Sequence, residues 1–262
     1  MIGIVPHRLL FACWLAMALS AATFGQAPTA PTGRTSEPAV SSATPSVEEI
    51  IARYERAVGG RAAWQKLKSR VSLGTIEVPS AKLSGTVVIH EKAPSKILTI
   101  IIVSGSVFRQ GFDGSVGWAE DPQDGLREQS GAELAEAKRQ SDFYSPLDLR
   151  EHYAKLTFAG AEKVGDQDTL ELEAALPEGG PPDKLYFDAK TGLPVRLLGQ
   201  HHSPDGVAQF QEDFGDYREV DGVTLPFMIA QAGGPSSFVV KISEVRHNVE
   251  LEDGEFAKPA VQ

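Results

Sequence analysis

Few residues in this chain stand at spacings that could do chemistry. His201-His202 followed by Asp205 comes nearest to a metal site, because imidazole and carboxylate are both zinc ligands. Adjacent residues of a strand point to opposite faces, however, and Pro204-Asp205-Gly206 is ordinary turn chemistry, so the pair reads as exposed and unliganded. His90-Glu91 lacks the second histidine, one helical turn on, that a zinc protease needs, and it falls in a strand. Ser115 sits in Asp113-Gly114-Ser115, a turn rather than the nucleophile elbow of a hydrolase. Glu171 and Glu173 could work as paired carboxylates, but their alternation with Leu170, Leu172 and Ala174 places them on a solvated strand face. The chain has 1 cysteine, Cys13, inside an N-terminal apolar run, so without that run no thiol remains for catalysis or for a disulfide. The expectation is a protein that is not an enzyme and uses no metal or cofactor.

The N-terminus reads as a leader. His7 and Arg8 precede the apolar run Leu9 to Leu19, and Ser20 to Gln26 offers small residues for a signal-peptidase cut, best placed before Gln26. The apolar run is shorter than the roughly 20 residues of a spanning helix. Leu10-Phe11-Ala12-Cys13 would be a poor lipid-attachment box because Phe11 is too bulky for it. Residues 1–25 are therefore expected to be a cleaved signal peptide that delivers the chain to the periplasm. Residues 26–45, rich in Pro, Ser, Thr and Ala, read as a disordered linker, and 46–262 as one domain. With 35 Asp+Glu against 25 Lys+Arg the formal net charge is −10, which argues against nucleic acid or an anionic membrane as partner.

Two hairpins dominate the domain. In KLYFDAKTGLPVRLLG, Lys184 to Gly199, each arm alternates with the period of two that puts one row of side chains on each sheet face, around a turn of Asp188, Lys190, Thr191 and Gly192. DYREVDGVTLPFMI, Asp216 to Ile229, repeats the logic around Asp221-Gly222, a strong hairpin signal. Ser46-Val47-Glu48-Glu49 reads as a capping box opening a helix through Val58, and Ala62 to Leu67 as a further helical turn contributing Trp64. Strands are predicted over 71–78, 83–91, 96–103, 107–111 and 116–119, then over 156–158, 169–176, 209–217, 223–231 and 237–245 in addition to the first hairpin. A second capping box, Ser130 to Glu133, opens a helix through about Asp142 with a thin apolar stripe that fits the surface. Phe143 to Leu149 is too apolar for a free connection, and Ile97 to Val103 is apolar on both faces, so both must be covered. Trp64 and Trp118 read as core residues by size.

This order of elements resembles the periplasmic outer-membrane lipoprotein carriers and their LolA-like relatives. The resemblance is carried by AVGGRAAWQKLKS (Ala57 to Ser69), GFDGSVGW (Gly111 to Trp118), SDFYSPLDL (Ser141 to Leu149) and the two hairpins, and it spans nearly the whole of 46–262. It implies an α+β fold: a strongly curved antiparallel half-barrel sheet of about ten or eleven strands, with helices covering the concave face. It further implies a cavity for acyl chains of lipoproteins or another lipophilic ligand, walled by Leu98, Ile100, Ile102, Phe108 and Trp118 and lidded by Phe143, Leu147 and Leu149. Carriers of this kind close the lid with an arginine, for which Arg109 and Arg196 are equal candidates. Two functions follow: a soluble periplasmic carrier, or a cell-envelope interaction module that docks a protein partner on its curved sheet. They differ in whether the cavity is empty of protein.

Overall fold

Ser46 caps the first described helix as its sequence predicts. Its hydroxyl accepts the Glu49 N–H at 3.2 Å, and the Glu49 carboxylate accepts the Ser46 N–H at 2.8 Å, so two N–H groups left over at the helix start are satisfied by each other's residues. The computed structural model describes residues 44–204, 206–233 and 237–260; the expected signal peptide and nearly all of the expected linker lie outside the described residues. Helix α1 (Val47–Ala57) is followed by the single turn α2 (Arg61–Trp64).

Among the described residues thirteen strands form one sheet. β1 (Ser69–Val78), β2 (Leu83–Lys92), β3 (Lys96–Val103), β4 (Ser106–Phe112), β5 (Gly117–Asp121) and β6 (Gly125–Glu128) run from the middle of the sheet to one edge. The chain then crosses through α3 (Gly131–Gln140) and α4 (Leu149–His152) to the other edge. It returns through β7 (Lys155–Val164), β8 (Gln167–Ala175), β9 (Asp183–Asp188), β10 (Pro194–Ser203), β11 (Gly206–Val220), β12 (Val223–Ala232) and β13 (Phe238–His247), which pairs with β1. Every pairing is antiparallel. Since β6 and β7 do not pair, the sheet is an open half-barrel, and α1, α2 and α3 lie on one face of it, the concave one. The strand count exceeds the expected ten or eleven; β6, four residues with a single large apolar side chain, carries too little alternation to be read as a strand.

Local turn chemistry sets the register. Asp221 and Gly222 both have positive φ, 53° and 83°, the geometry of a two-residue hairpin turn whose twist matches that of its strands. Between β9 and β10 the Asp188 carboxylate accepts the N–H groups of Lys190 and Thr191, and a Cβ on Gly192 would stand 2.6 Å from the Arg53 side chain of α1. That close approach lets the Arg53 guanidinium donate to the Ala189 carbonyl at 2.6 Å, tying α1 to the hairpin.

Two expectations need correction. Ser130 is the N-cap of α3, but its side chain makes no cap hydrogen bond; Glu133 is taken instead by Arg127 of β6 in a two-pronged pair at 2.7 and 2.8 Å. A bidentate guanidinium outcompetes a hydroxyl for a carboxylate. Glu171 is buried rather than solvated, 2.9 Å from the Lys184 ammonium on the neighbouring strand β9.

Apolar burial is divided among clusters. Ile50, Ile51, Tyr54 and Val58 of the first helix pack on Leu170, Leu172, Ala174, Leu185 and Phe187. Trp64, Phe143 and Leu147 pack on the concave face of the middle strands, against Ile76, Val87, Val103 and Phe227 among others. On the outer face, Val71, Leu98 and Trp118 are covered by the C-terminal segment through Leu251 and Phe256, and the Trp118 indole donates to the Phe256 carbonyl at 2.8 Å.

Candidate functional site: a cavity under the helices

A cavity of about 400 Å³ opens on the concave face, between the helices and strands β9 to β12. Its walls follow from strand alternation. Leu185 and Phe187 of β9 point inward with Leu197 of β10, and Phe210 and Phe214 of β11 continue the row. Tyr54 and Val58 close one side, and the 141–149 connection contributes Phe143, Pro146 and Leu149. Such a wall, mostly aromatic and aliphatic with a few polar groups, is the usual composition of a small-molecule site of this size.

The connection is pinned from several directions. The Phe143 N–H donates to the Pro94 carbonyl at 3.0 Å, the Tyr144 hydroxyl to Leu67 O at 3.0 Å, and the Arg61 guanidinium to Leu147 O at 3.1 Å. Phe143 meets the Trp64 ring edge-on, centroids 6.2 Å apart. Arg70 lies beside both: its guanidinium carbon is 5.8 Å from each ring centroid, while its nitrogens hold Glu91 through two bonds of 2.5 Å. A guanidinium within about 6 Å of an aromatic face is attracted by its quadrupole. Arg70 is thus the arginine beside the connection. Arg109 is committed to Glu120 at 2.6 Å and Arg196 to Asp213 at 2.5 Å.

Polar groups at the wall are paired with one another. The Tyr153 hydroxyl donates to Asp183 at 3.0 Å, and burial raises the pKa of both groups. His152 meets Asp142 at 2.7 Å, and Arg139 is bonded to Glu178. Glu136 of α3, itself buried, takes His201 Nδ1 at 2.6 Å and accepts the His202 N–H at 3.0 Å. The expected exposed histidine pair is therefore corrected: both are half-buried and face a carboxylate on α3. Among the described residues no group of three or more His, Cys, Asp or Glu is arranged to hold a metal ion.

The eight residues expected to line the cavity are dispersed. Phe143 and Leu149 line it. Leu147 is buried in the core beside Trp64, and Phe108 lines a separate space of about 120 Å³ under α3. Leu98, Ile100 and Trp118 belong to the outer face under the C-terminal segment, and Ile102 is 43% exposed, so the expectation for these four is corrected. The inward row of β3 is the complementary one, Ile97, Thr99 and Ile101. Both rows are apolar because both faces are covered, and period-two patterning names the two rows without saying which is inside. Phe210 and Phe214 were missed; their spacing of four, two strand periods, within Gln209 to Tyr217 is the signal that would have found them. Arg70, one residue beyond the AVGGRAAWQKLKS stretch, was missed as well.

No protein-family model matches the sequence, and no curated protein matches it. Solved structures do. A DUF1329 family protein from Desulfovibrio piger superimposes with a TM-score of 0.52 at 16% identity, covering 80% of this chain and 97% of that one. A LolA superfamily protein from Nitrosomonas europaea gives 0.51 at 14% identity, covering 82% and 99%. A domain described as an outer membrane lipoprotein-sorting protein from Vibrio parahaemolyticus gives 0.50 at 16% identity, covering 80% and 95%. Identities this low speak to architecture alone. Open sheet, crossing helices and whole-domain superposition together establish that this chain has the LolA-like fold.

Proposed function

We propose that the protein is an exported carrier that holds an acyl chain or similar lipophilic segment in the concave cavity. The observation that carries this reading is the unfilled space itself: about 400 Å³ walled by Tyr54, Phe187, Leu197, Phe210 and Phe214. A methylene takes up about the volume share of a water molecule, roughly 30 Å³, so the cavity has room for on the order of a dozen. At about 0.8 kcal/mol per buried methylene the gross gain is roughly 10 kcal/mol. Ordering the chain and displacing the pinned connection offset part of it. Enough remains for micromolar binding.

Two further points support the reading. The leader-like N-terminus fits export to the periplasm, and among the described residues no helix is long and apolar enough to cross a membrane. One structural neighbour, described as an outer membrane lipoprotein-sorting protein domain, has a task of the same class. Titratable groups at the wall are tied to one another, and the reading assigns them no catalytic step. An interaction module would need its concave face for a protein partner; an aromatic hollow of this size suits a chain better than a protein surface.

The test is titration with a fluorescent fatty-acyl probe. Saturable binding is expected, weakened at least about tenfold by Phe214→Asp, since a charge cannot be desolvated in an apolar wall without a partner. Ile102→Asp, on the outer face, should leave it unchanged. Absence of saturable binding to the unaltered protein would overturn the carrier reading.

A further inference from the structure

We propose that α3 is a pH-operated gate over the concave face, latched to the β10 histidines through Glu136 and released as the pH rises through neutrality. The proposal concerns regulation of the cavity and rests on the carrier reading for its purpose, though not for its mechanics.

Position comes first. Glu136, Arg139 and Gln140 of α3 line the main cavity, while Ala137 and Gln140 line the smaller space over β3 and β4. The helix therefore stands as a partition between two hollows on one concave face. Swinging it outward would join them into a single trough.

Attachment comes second. The first helix is held by Ile50, Ile51 and Tyr54, large side chains that bury apolar area. In α3 the buried residues are Glu136 and Ala137. A helix that buries one carboxylate and one alanine gains little from the hydrophobic effect and is held mainly by its polar contacts. Those contacts are Glu133 with Arg127 of β6, Arg139 with Glu178 beyond β8, and Glu136 with His201 and His202. The last is central, being the buried one.

Titration comes third. The groups facing His201 are Glu136 and Glu133 from α3 and Glu212 from β11; Asp183 of β9 faces Glu136 in turn. Burial alone would lower the His201 pKa, but the bond to Glu136 and the surrounding carboxylates outweigh it, and the imidazole is held above its ordinary value. Glu212 is pushed up to about 7, by burial and then by the charge of Glu136. Asp183 is raised by burial, with Glu136 and Glu178 adding to it against Arg139 and the Tyr153 bond. All three shifts have one sign: the closed arrangement binds protons more tightly than an open, solvated one. Linkage then requires that rising pH favour opening. Below neutrality an imidazolium meets Glu136 while Glu212 is neutral. As the pH rises Glu212, from about 7, becomes a second anion facing the Glu136 carboxylate, and the imidazole gives up its charge at a pH above its ordinary value.

The gate can be read without any ligand. In the chain carrying Cys13→Ser, spin labels at Lys138→Cys on α3 and Gln209→Cys on β11, both exposed positions, would be the sole thiol-attached groups. Pulsed-EPR distances between about pH 5.5 and about pH 8.5 span the imidazole range. A short distance should give way to a longer one with a midpoint near 7, the ratio changing about tenfold per pH unit for each proton released. The His201→Gln, Glu212→Gln double variant should flatten the transition. A short distance that persists across the range, or a transition that is identical in the double variant, overturns the gate. Acyl-probe uptake is measured separately: uptake with an immobile helix sinks the gate alone, and a moving helix in a protein that takes up no probe sinks the carrier reading alone.

Discussion

The middle of the sheet and its β8 to β11 arm are continuous in hydrogen bonding, yet they treat their two faces in opposite ways. Over β1, β2, β12 and β13 the concave face is filled: Trp64, Phe143 and Leu147 reach down to Val87, Phe227 and Val240. Helix α1 still packs on Leu185 and Phe187 of β9, but over β10 and β11 the helices stop short, and Phe210 and Phe214 face open space. The outer faces differ as well. On the β1 to β5 side the C-terminal segment lays Leu251 and Phe256 over Leu98 and Trp118. On the β8 to β11 side the outer face carries a small apolar cluster, Val164, Tyr186, Val195 and Leu198, beside the ion pairs Glu171–Lys184 and Arg196–Asp213. The middle of the sheet is packed through, whereas the other arm, packed by α1 over β8 and β9, remains hollow over β10 and β11. A cavity costs stability through the contacts its walls lack, and a well-packed neighbouring half makes that cost tolerable.

The largest effect that would test this division is at the packed half. Phe256→Ala removes a ring that is 0% exposed and uncovers Trp118, and should cost about 3–5 kcal/mol in urea unfolding. Phe214→Ala, whose ring already lacks partners on the cavity side, should cost less, on the order of 1–2 kcal/mol. Equal losses at the two sites would erase the distinction between a packed half and a hollow one.

A smaller effect separates the halves by pH. Glu212 lies on the hollow side with its pKa moved from the ordinary 4.5 to about 7, so the folded state binds a proton more tightly than the unfolded state does. Its contribution to stability therefore falls as pH rises between those two values and stays low above them. Glu212→Gln removes that dependence: unfolding curves should favour the variant at pH 8 relative to its position at pH 4, where wild type keeps the neutral acid. Parallel stability profiles for the two proteins would refute the assignment.

The smallest effect is expected from the outer ion pairs. Glu171→Gln weakens a pair whose lysine is 41% exposed, and the loss should not exceed about 1 kcal/mol. A larger loss would mean that the ion pairs outside the hollow half stabilise it as strongly as the apolar strap does the packed half.

How much of this was legible varied residue by residue. Asp221-Gly222 fixed a two-residue turn because positive φ at both positions is a property of those residues themselves. Ser46 with Glu49 formed its box, whereas Ser130 with Glu133 did not, since Arg127 arrives from β6 and takes the carboxylate. The histidine pair looked idle because its partner, Glu136, is 65 residues away in the chain from His201. The arginine beside the connection could not be chosen by pattern, because Arg70 is distinguished only by the rings of Trp64 and Phe143 beside it.

By itself the sequence determined most of the elements: the period of two along the strands other than β6, the turns between them, the capped first helix, and a fold class in which short connections force antiparallel pairing. Those features depend on neighbours within a few residues, where covalent geometry limits the choices. Tertiary structure alone decided the sidedness. Ile97 to Val103 offers two apolar rows, and which one faces inward depends on the C-terminal segment covering Leu98 and Ile100 from outside. The cavity was settled in the same way, by where α1 and the 141–149 connection stop rather than by any residue that marks a void. A row of side chains has a period but no inside until another part of the chain covers one face.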